Sequence, residues 1–411
     1  MSKRLKFRLN RATIVFIMIA ICTCSKESME EVPDKYQEIE NLTVYPKNTK
    51  PGKTIAFQKE IVFGESTDLL IGQLGDIAAD TEGRVFVTDT RKQAIYAFTP
   101  NGELFYTFGG SGDGPGEFNT IKSIEIKDHL MFVHDFHQNR LTAFNLHTLD
   151  VDFTLLFGKN KNQYQELHRS YPLVSEVYVY NSERFLVKYL SNQNYEPSEI
   201  WDLVMIKGYL YTADQNGILL SKLMDFKNST RTMYPYNGVP MLEIPITPFY
   251  GESITAISSE GFIYHVQPDH FLVQVFKHDG TYQRAFSYPN QKVRLTEASA
   301  IEVGIPELGT SNPDLFINSI TLIDLPESWP VITNMIIDDQ NRLWISTIVE
   351  DFDVYEWWVL ENTGELITKF EWPRNEPIEV VKNGYIYTRE TEEETGQQQV
   401  VRYRIAFDEV N

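Results

Sequence analysis

The sequence predicts an all-β fold, a six-bladed β-propeller built from four-stranded antiparallel blades, and three observations predict it. Apolar runs of four to six residues, rich in Val, Ile, Phe and Tyr, recur along the chain, each closed by a turn signal. The runs group into six units of roughly forty residues, the period of a propeller blade. Turn glycines keep a fixed separation, with Gly83 to Gly102 and Gly261 to Gly280 both 19 residues apart. A pair of β-sandwich domains is the competing architecture, and it leaves that spacing to chance.

The first unit runs from Asp76 to Gly109, with Thr81-Glu82-Gly83, Asp89-Thr90-Arg91-Lys92 and Pro100-Asn101-Gly102 as its turns. Ile121 to Phe157 repeats it, with Lys127-Asp128 as first turn and Arg140 opening the third strand. Val174 to Phe226 is a stretched copy whose strands are separated by Ser191 to Ser198. Ile254 to Tyr288, Ile332 to Trp372 and Ile378 to Phe407 complete the set. An open last blade would leave an unpaired edge. Thr54–Gln58 and Ile61–Phe63, ahead of the first unit, are placed to supply the closing strand. Residues 291–330 break the rhythm, and Leu295 onward begins a short helix with Thr296 as its cap. This excursion lies on one face of the disc, where loops on a rigid scaffold carry function.

The N-terminus reads as an address. Lys3, Arg4, Lys6, Arg8 and Arg11 precede a short apolar stretch, Ala12 to Ile21. Ten residues at 1.5 Å each are too few for a bilayer core of ~30 Å, so this is a signal-peptide pattern. Ile21-Cys22-Thr23-Cys24 resembles a bacterial lipobox, with Thr23 where a smaller residue is usual. The resemblance implies a signal peptide over 1–23 and lipid attachment at Cys24. Prolines and charge density read as a flexible tether over 24–50, and the repeats place the propeller over 51–411. An ordinary signal peptide cut nearby is the competing reading. Cys22 and Cys24 are the two cysteines of the 411-residue chain, so the body has no disulfide and no thiolate nucleophile. A formal charge of −20 argues against nucleic acid as a partner.

Two stretches go beyond a generic propeller. Gly83–Asp89 with Ala94–Phe98, and Asp135 with Gln138-Asn139-Arg140-Leu141, resemble NHL-type repeats. The Gly109–Phe118 linker (GGSGDGPGEF) and Leu325-Pro326-Glu327 are similar to the joins of six-bladed propeller lipoproteins of Bacteroidota. The resemblance spans roughly residues 60–407 and is poorest in the third unit. It implies a fold and a place in the bacterial envelope, as an outer-membrane lipoprotein facing the periplasm or the cell surface. It implies no defined activity.

Several of the polar residues have plain structural roles open to them. The Gly109–Gly116 loop lacks the Gly-Lys-[Ser/Thr] of a phosphate loop and leads into a strand, so it is read as a blade connector. Asp89 and Asp135 recur at one repeat position, which suits Asp accepting hydrogen bonds from its own turn. Arg140 is read as structural with them. His134 and His137 have metal-like spacing, but on a strand they would face opposite ways. Arg91, His134, His137, His265, Asp269 and His270 are expected to line a common polar rim if second-to-third-strand loops share a face. Trp357 and Trp358 are adjacent, so one of them should face outward on a strand. Glu390 to Gln399 reads as a solvated hairpin tip.

No catalytic motif such as Gly-x-Ser-x-Gly or His-Glu-x-x-His occurs. The sequence therefore points first to a non-enzymatic binding scaffold with an envelope protein or glycan as partner. Its rival is a lactonase-like or lyase-like propeller enzyme using a divalent metal in the central channel. No cofactor is predicted, with calcium or another divalent ion the one candidate. A purely structural part of a surface assembly is the third reading.

Overall fold

The computed structural model describes residues 36, 38–64, 71–164, 167, 173–191, 202–236, 239–242, 248–308, 317, 320–321 and 324–410. The signal peptide expected over 1–23 and the lipid-attachment residue Cys24 lie outside them. Two strands, β1 (Leu42–Val44) and β2 (Lys53–Phe63), precede the first blade. Blade 1 is β3 (Leu74–Ala79), β4 (Val85–Asp89), β5 (Ala94–Phe98) and β6 (Leu104–Gly109). Blade 2 is β7 (Ile121–Lys127), β8 (Leu130–Asp135), β9 (Arg140–Asn145) and β10 (Val151–Leu156). Blade 3 is β11 (Leu173–Asn181), β12 (Arg184–Ser191), β13 (Asp202–Asp214) and β14 (Leu219–Tyr236), with β15 (Val239–Leu242) as a fifth, outer strand. Blade 4 is β16 (Ile254–Ile257), β17 (Ile263–Val266), β18 (Leu272–Phe276) and β19 (Tyr282–Ser287). Blade 5 is β20 (Ile332–Ile337), β21 (Leu343–Ile348), β22 (Val354–Leu360) and β23 (Leu366–Pro373). Blade 6 is β24 (Ile378–Lys382), β25 (Tyr385–Thr391) and β26 (Gln398–Glu409).

Blade 6 is completed by β2, which pairs antiparallel with β26 from Lys53↔Glu409 to Phe63↔Val400. The N-terminal segment thus closes the ring. The innermost strands β3, β7, β11, β16, β20 and β24 each contact the next around the circle, and β24 returns to β3. The fold is a six-bladed β-propeller. Within each meander the inter-blade connectors and the second-to-third loops leave from one end of the strands. The other turns leave from the opposite end. The first end is the connector face.

Every blade is sandwiched between two others, so both of its faces are interior. Strands β4, β8 and β21 are accordingly buried at every position and begin with consecutive apolar residues, Val85–Val87, Leu130–Val133 and Leu343–Ile345, rather than alternating ones. The same geometry corrects the expectation for the tryptophan pair. Trp357 packs with Trp344 and Ile386 toward blade 6, while Trp358 packs with Phe271 and Tyr264 toward blade 4, and both are buried.

The first-to-second turns repeat a side-chain clamp. Asp80 accepts from the amides of Glu82 and Arg84, and Asp338 accepts from those of Gln340 and Arg342, all at 2.9–3.0 Å. Gly83 and Asn341 take the positive φ these turns need. The turn glycine between the third and fourth strands is held more tightly. Gly364 has φ +97°, and a Cβ built on it would lie 2.5 Å from the Phe286 ring of blade 4. Gly102 and Gly280 stand at the same turn, with a built Cβ 2.9 Å from Ile61 of β2 and 3.0 Å from Leu223 of blade 3.

Three boundaries differ from the sequence reading. The tether expected over 24–50 ends sooner: β1 pairs parallel with β19, and Tyr45 stacks on Tyr288 with ring centroids 4.7 Å apart. Blade 3 extends past Phe226, because β14 runs on to Tyr236 and adds β15. The hairpin tip expected from Glu390 begins one residue later, with Thr391–Gly396 exposed and Glu390 still inside β25. Glu390 is buried and accepts from Thr388 Oγ1 at 2.9 Å and Tyr403 Oη at 2.7 Å.

Candidate functional site

The recurring Asp positions are turn anchors. Asp89 accepts from the amides of Gly72 (2.7 Å), Gln73, Arg91 and Lys92, joining its own turn to the start of the blade. Asp135 does the same with Asn119 (2.8 Å), Thr120 and Gln138. Arg140 donates to the carbonyls of Asp113 (3.1 Å), Gly114 and Glu117 and pairs with Asp135 at 3.5 Å. Its guanidinium ties down the glycine-rich connector between blades 1 and 2.

The six residues expected at a polar rim fall into two sets. Arg91, His137, Asp269 and His270 lie in second-to-third loops of blades 1, 2 and 4, on the connector face. His137 Nδ1 is 2.6 Å from Thr120 Oγ1, and the His270 ring packs edge-on against Tyr36 at 6.0 Å. His134 and His265 instead sit within β8 and β17 and are almost fully buried. Burial pushes His134 down to about 4 and His265 down to about 3, the latter helped by Lys188, so both are neutral imidazoles at neutral pH. His265 Nδ1 contacts Thr255 Oγ1 at 3.1 Å. Neither nitrogen of His134 has a partner among the described residues.

The channel wall carries ionisable groups that the sequence did not single out. Asp76 on β3 accepts from the Ile124 amide of blade 2 at 2.8 Å, and Glu125 on β7 accepts from the Val179 amide of blade 3 at 3.0 Å. Innermost strands have a free edge, and these carboxylates satisfy its amides from the preceding blade. Glu379 pairs with Arg389 at 2.9 Å, whose guanidinium reaches the Gly75 carbonyl of blade 1 at 2.7 Å. Burial raises all three acids, Glu125 to about 7, and lowers Lys382. Among the described residues, no three His, Cys, Asp or Glu side chains come together as a metal-holding group.

The excursion builds a second feature on the connector face. Helix α1 (Glu297–Leu308) starts where Thr296 and Ser299 cap each other, with the Ser299 amide 3.1 Å from Thr296 Oγ1. Ala300 and Val303 pack with Phe249, Trp329 and Ile348, which fixes the helix over blade 5. Between them lies a cleft of about 650 Å³, lined by Glu302 and Val303 of α1 and by Phe352, Asp353, Arg374 and Asn375 of blade 5. The Arg374 guanidinium stands 4.4 Å over the Tyr355 ring and 5.6 Å over that of Phe352. Sequence reading flagged the excursion but missed this partner wall. Arg374 and Phe352 carry no local motif, and only the packing of the helix brings them into play.

Comparison with known proteins agrees with this architecture. Residues 59–238 match the family model DUF5128, described as a 6-bladed beta-propeller. A crystal structure of a Bacteroides fragilis protein described as exported is similar at a TM-score of 0.50 and 12% identity, covering 89% of this chain and 99% of that one. A DUF4221 family member from Bacteroides vulgatus is similar at a TM-score of 0.51 and 11% identity, covering 88% and 100%. At these identities the likeness is one of fold. No curated protein matches the sequence. Among the described residues no helix is long and apolar enough to cross a membrane.

Proposed function

We propose that this chain is an envelope-anchored propeller lipoprotein that acts as a non-enzymatic binding scaffold. The observation that carries the reading is how the ionisable groups are used. Asp76 and Glu125 hold the amides of neighbouring blades in the channel. A built cleft opens on the connector face, between α1 and blade 5. The NHL-like repeats serve as scaffold in this reading, and an envelope protein or glycan is the partner. Cys24 carries the lipid, and the outer membrane is the place. Two measurements test it. Cys24→Ala in the full chain should move the protein from the membrane pellet to the soluble fraction; an unchanged distribution refutes the anchor. The detergent-purified full chain should retain an envelope component and return it chemically unchanged.

Glu125 favours one second reading, a channel enzyme with lactonase-like or lyase-like chemistry. A buried carboxyl brought to about 7 is poised for proton transfer near neutral pH. A calcium or other divalent ion in that enzyme would need ligands beyond the carboxylates grouped here. Recovery of the retained component in cleaved or rearranged form, lost in Glu125→Gln, would replace the scaffold reading with this one.

A further inference from the structure

We infer that the cleft between α1 and blade 5 binds an uncharged saccharide segment. The inference rests on the binding reading above and names its ligand class. The volume of about 650 Å³ falls in the ~300–1,000 Å³ range of small-ligand sites. Its aromatic wall is held in place. Phe352 packs against Trp329 with centroids 5.5 Å apart, and Arg374 lies over Phe352 and Tyr355. Trp329, behind Phe352, is 2% exposed and leaves its indole N–H without an acceptor among the described residues. The rim is polar and exposed: the carboxylates of Glu302 and Asp353 and the amide of Asn375.

Charge and desolvation select among ligand classes. Two carboxylates against one guanidinium, on a chain of net charge −20, disfavour phosphates, sulfates and uronates. For a cation, the aromatic faces that would hold it are already taken by the Arg374 guanidinium. An apolar molecule would strip water from Glu302, Asp353 and Arg374 and give no hydrogen bond in return. A neutral sugar matches both parts of the wall. Its C–H groups pack against Phe352 and the guanidinium plane beside it, and its neighbouring hydroxyls donate to the carboxylates and accept from the guanidinium and amide.

The test uses the detergent-purified full chain on an array of uncharged glucose, mannose, galactose and N-acetylglucosamine oligosaccharides, beside uronate and sulfated counterparts. Titration calorimetry then follows with the best uncharged one. Binding should favour the uncharged set. Asp353→Ala should weaken it about tenfold, as expected for a lost hydrogen bond to a charged group. Asn375→Ala should weaken it roughly threefold. Both side chains are exposed, so the melting temperature should stay put and loss of fold is not in play. Binding confined to charged glycans, binding indifferent to both substitutions, or no glycan binding at all overturns the inference. A chain that retains its envelope component equally well with both substitutions leaves the scaffold reading standing and removes this one alone. A wild-type chain that retains nothing removes both.

Discussion

Gly364→Ala isolates the contact between a turn and its neighbouring blade. The residue has φ +97°, and the added Cβ would lie 2.5 Å from Cγ of Phe286, a ring with no exposed surface. Two costs follow. An L-residue at positive φ loses roughly 1–2 kcal/mol, and forcing a methyl into a filled interior costs a further ~1–3 kcal/mol. Gly384 supplies the control: its φ is +78°, yet nothing lies within 4 Å of the built Cβ. Gly384→Ala should therefore cost about 1 kcal/mol, and Gly364→Ala about 3 kcal/mol. Urea unfolding of the full chain, followed by tryptophan fluorescence, measures both. Trp358 belongs to the same packed cluster as Phe286 and reports on it. Equal losses for the two variants would show that the backbone angle alone selects glycine and that the inter-blade contact contributes nothing.

Other expectations follow from the same structure. Arg140→Ala leaves Asp135 buried without its cation and should cost ~3–5 kcal/mol in urea unfolding; Arg140→Lys should recover little, since one ammonium cannot span three carbonyls. Glu125, raised from 4.5 to about 7 in the fold, stabilises fully below pH 4.5 and loses that contribution as pH rises through 7. Glu125→Gln should remove that loss, making the chain roughly 3 kcal/mol more stable than wild type at pH 8, as read from urea midpoints across pH. His134, lowered from 6.5 to about 4, works in the opposite sense: its contribution is present above pH 6.5 and lost as pH falls through 4. His134→Leu should flatten the acid limb of the same profile. A full chain with β2 replaced by a Gly-Ser segment loses the partner of β26 and should self-associate through that edge in light scattering.

The fold was legible because its repeat is local. Turn residues such as Thr81-Glu82-Gly83 and Asp338-Asp339-Gln340-Asn341 mark strand ends, and their meaning depends on a few neighbours along the chain. The closing strand was legible from physical need, since a ring with one unpaired edge requires it. Features set by the third dimension were not. Trp357 and Trp358 read as one inward and one outward residue until the blade between two neighbours made both inward. Asp76 and Glu125 look like ordinary strand acids, and only the ring reveals that they serve the next blade's amides. His134 and His265 share a spacing pattern with loop residues but belong to buried strands. The candidate cleft draws on Glu302 and Arg374, which are far apart in sequence.

The pairing of β2 with β26 also sets a timetable. Its partners, Phe63 and Val400 among them, are separated by more than three hundred residues. During synthesis the first strand emerges early and waits for the last one. Bringing such distant ends together costs on the order of 5 kcal/mol of chain entropy, repaid only when ten or so residues zip at once. The ring cannot lock while its final strand is still in the ribosome. A nascent chain of this kind stays open for as long as it is incomplete, a state in which it can still be threaded through a narrow passage.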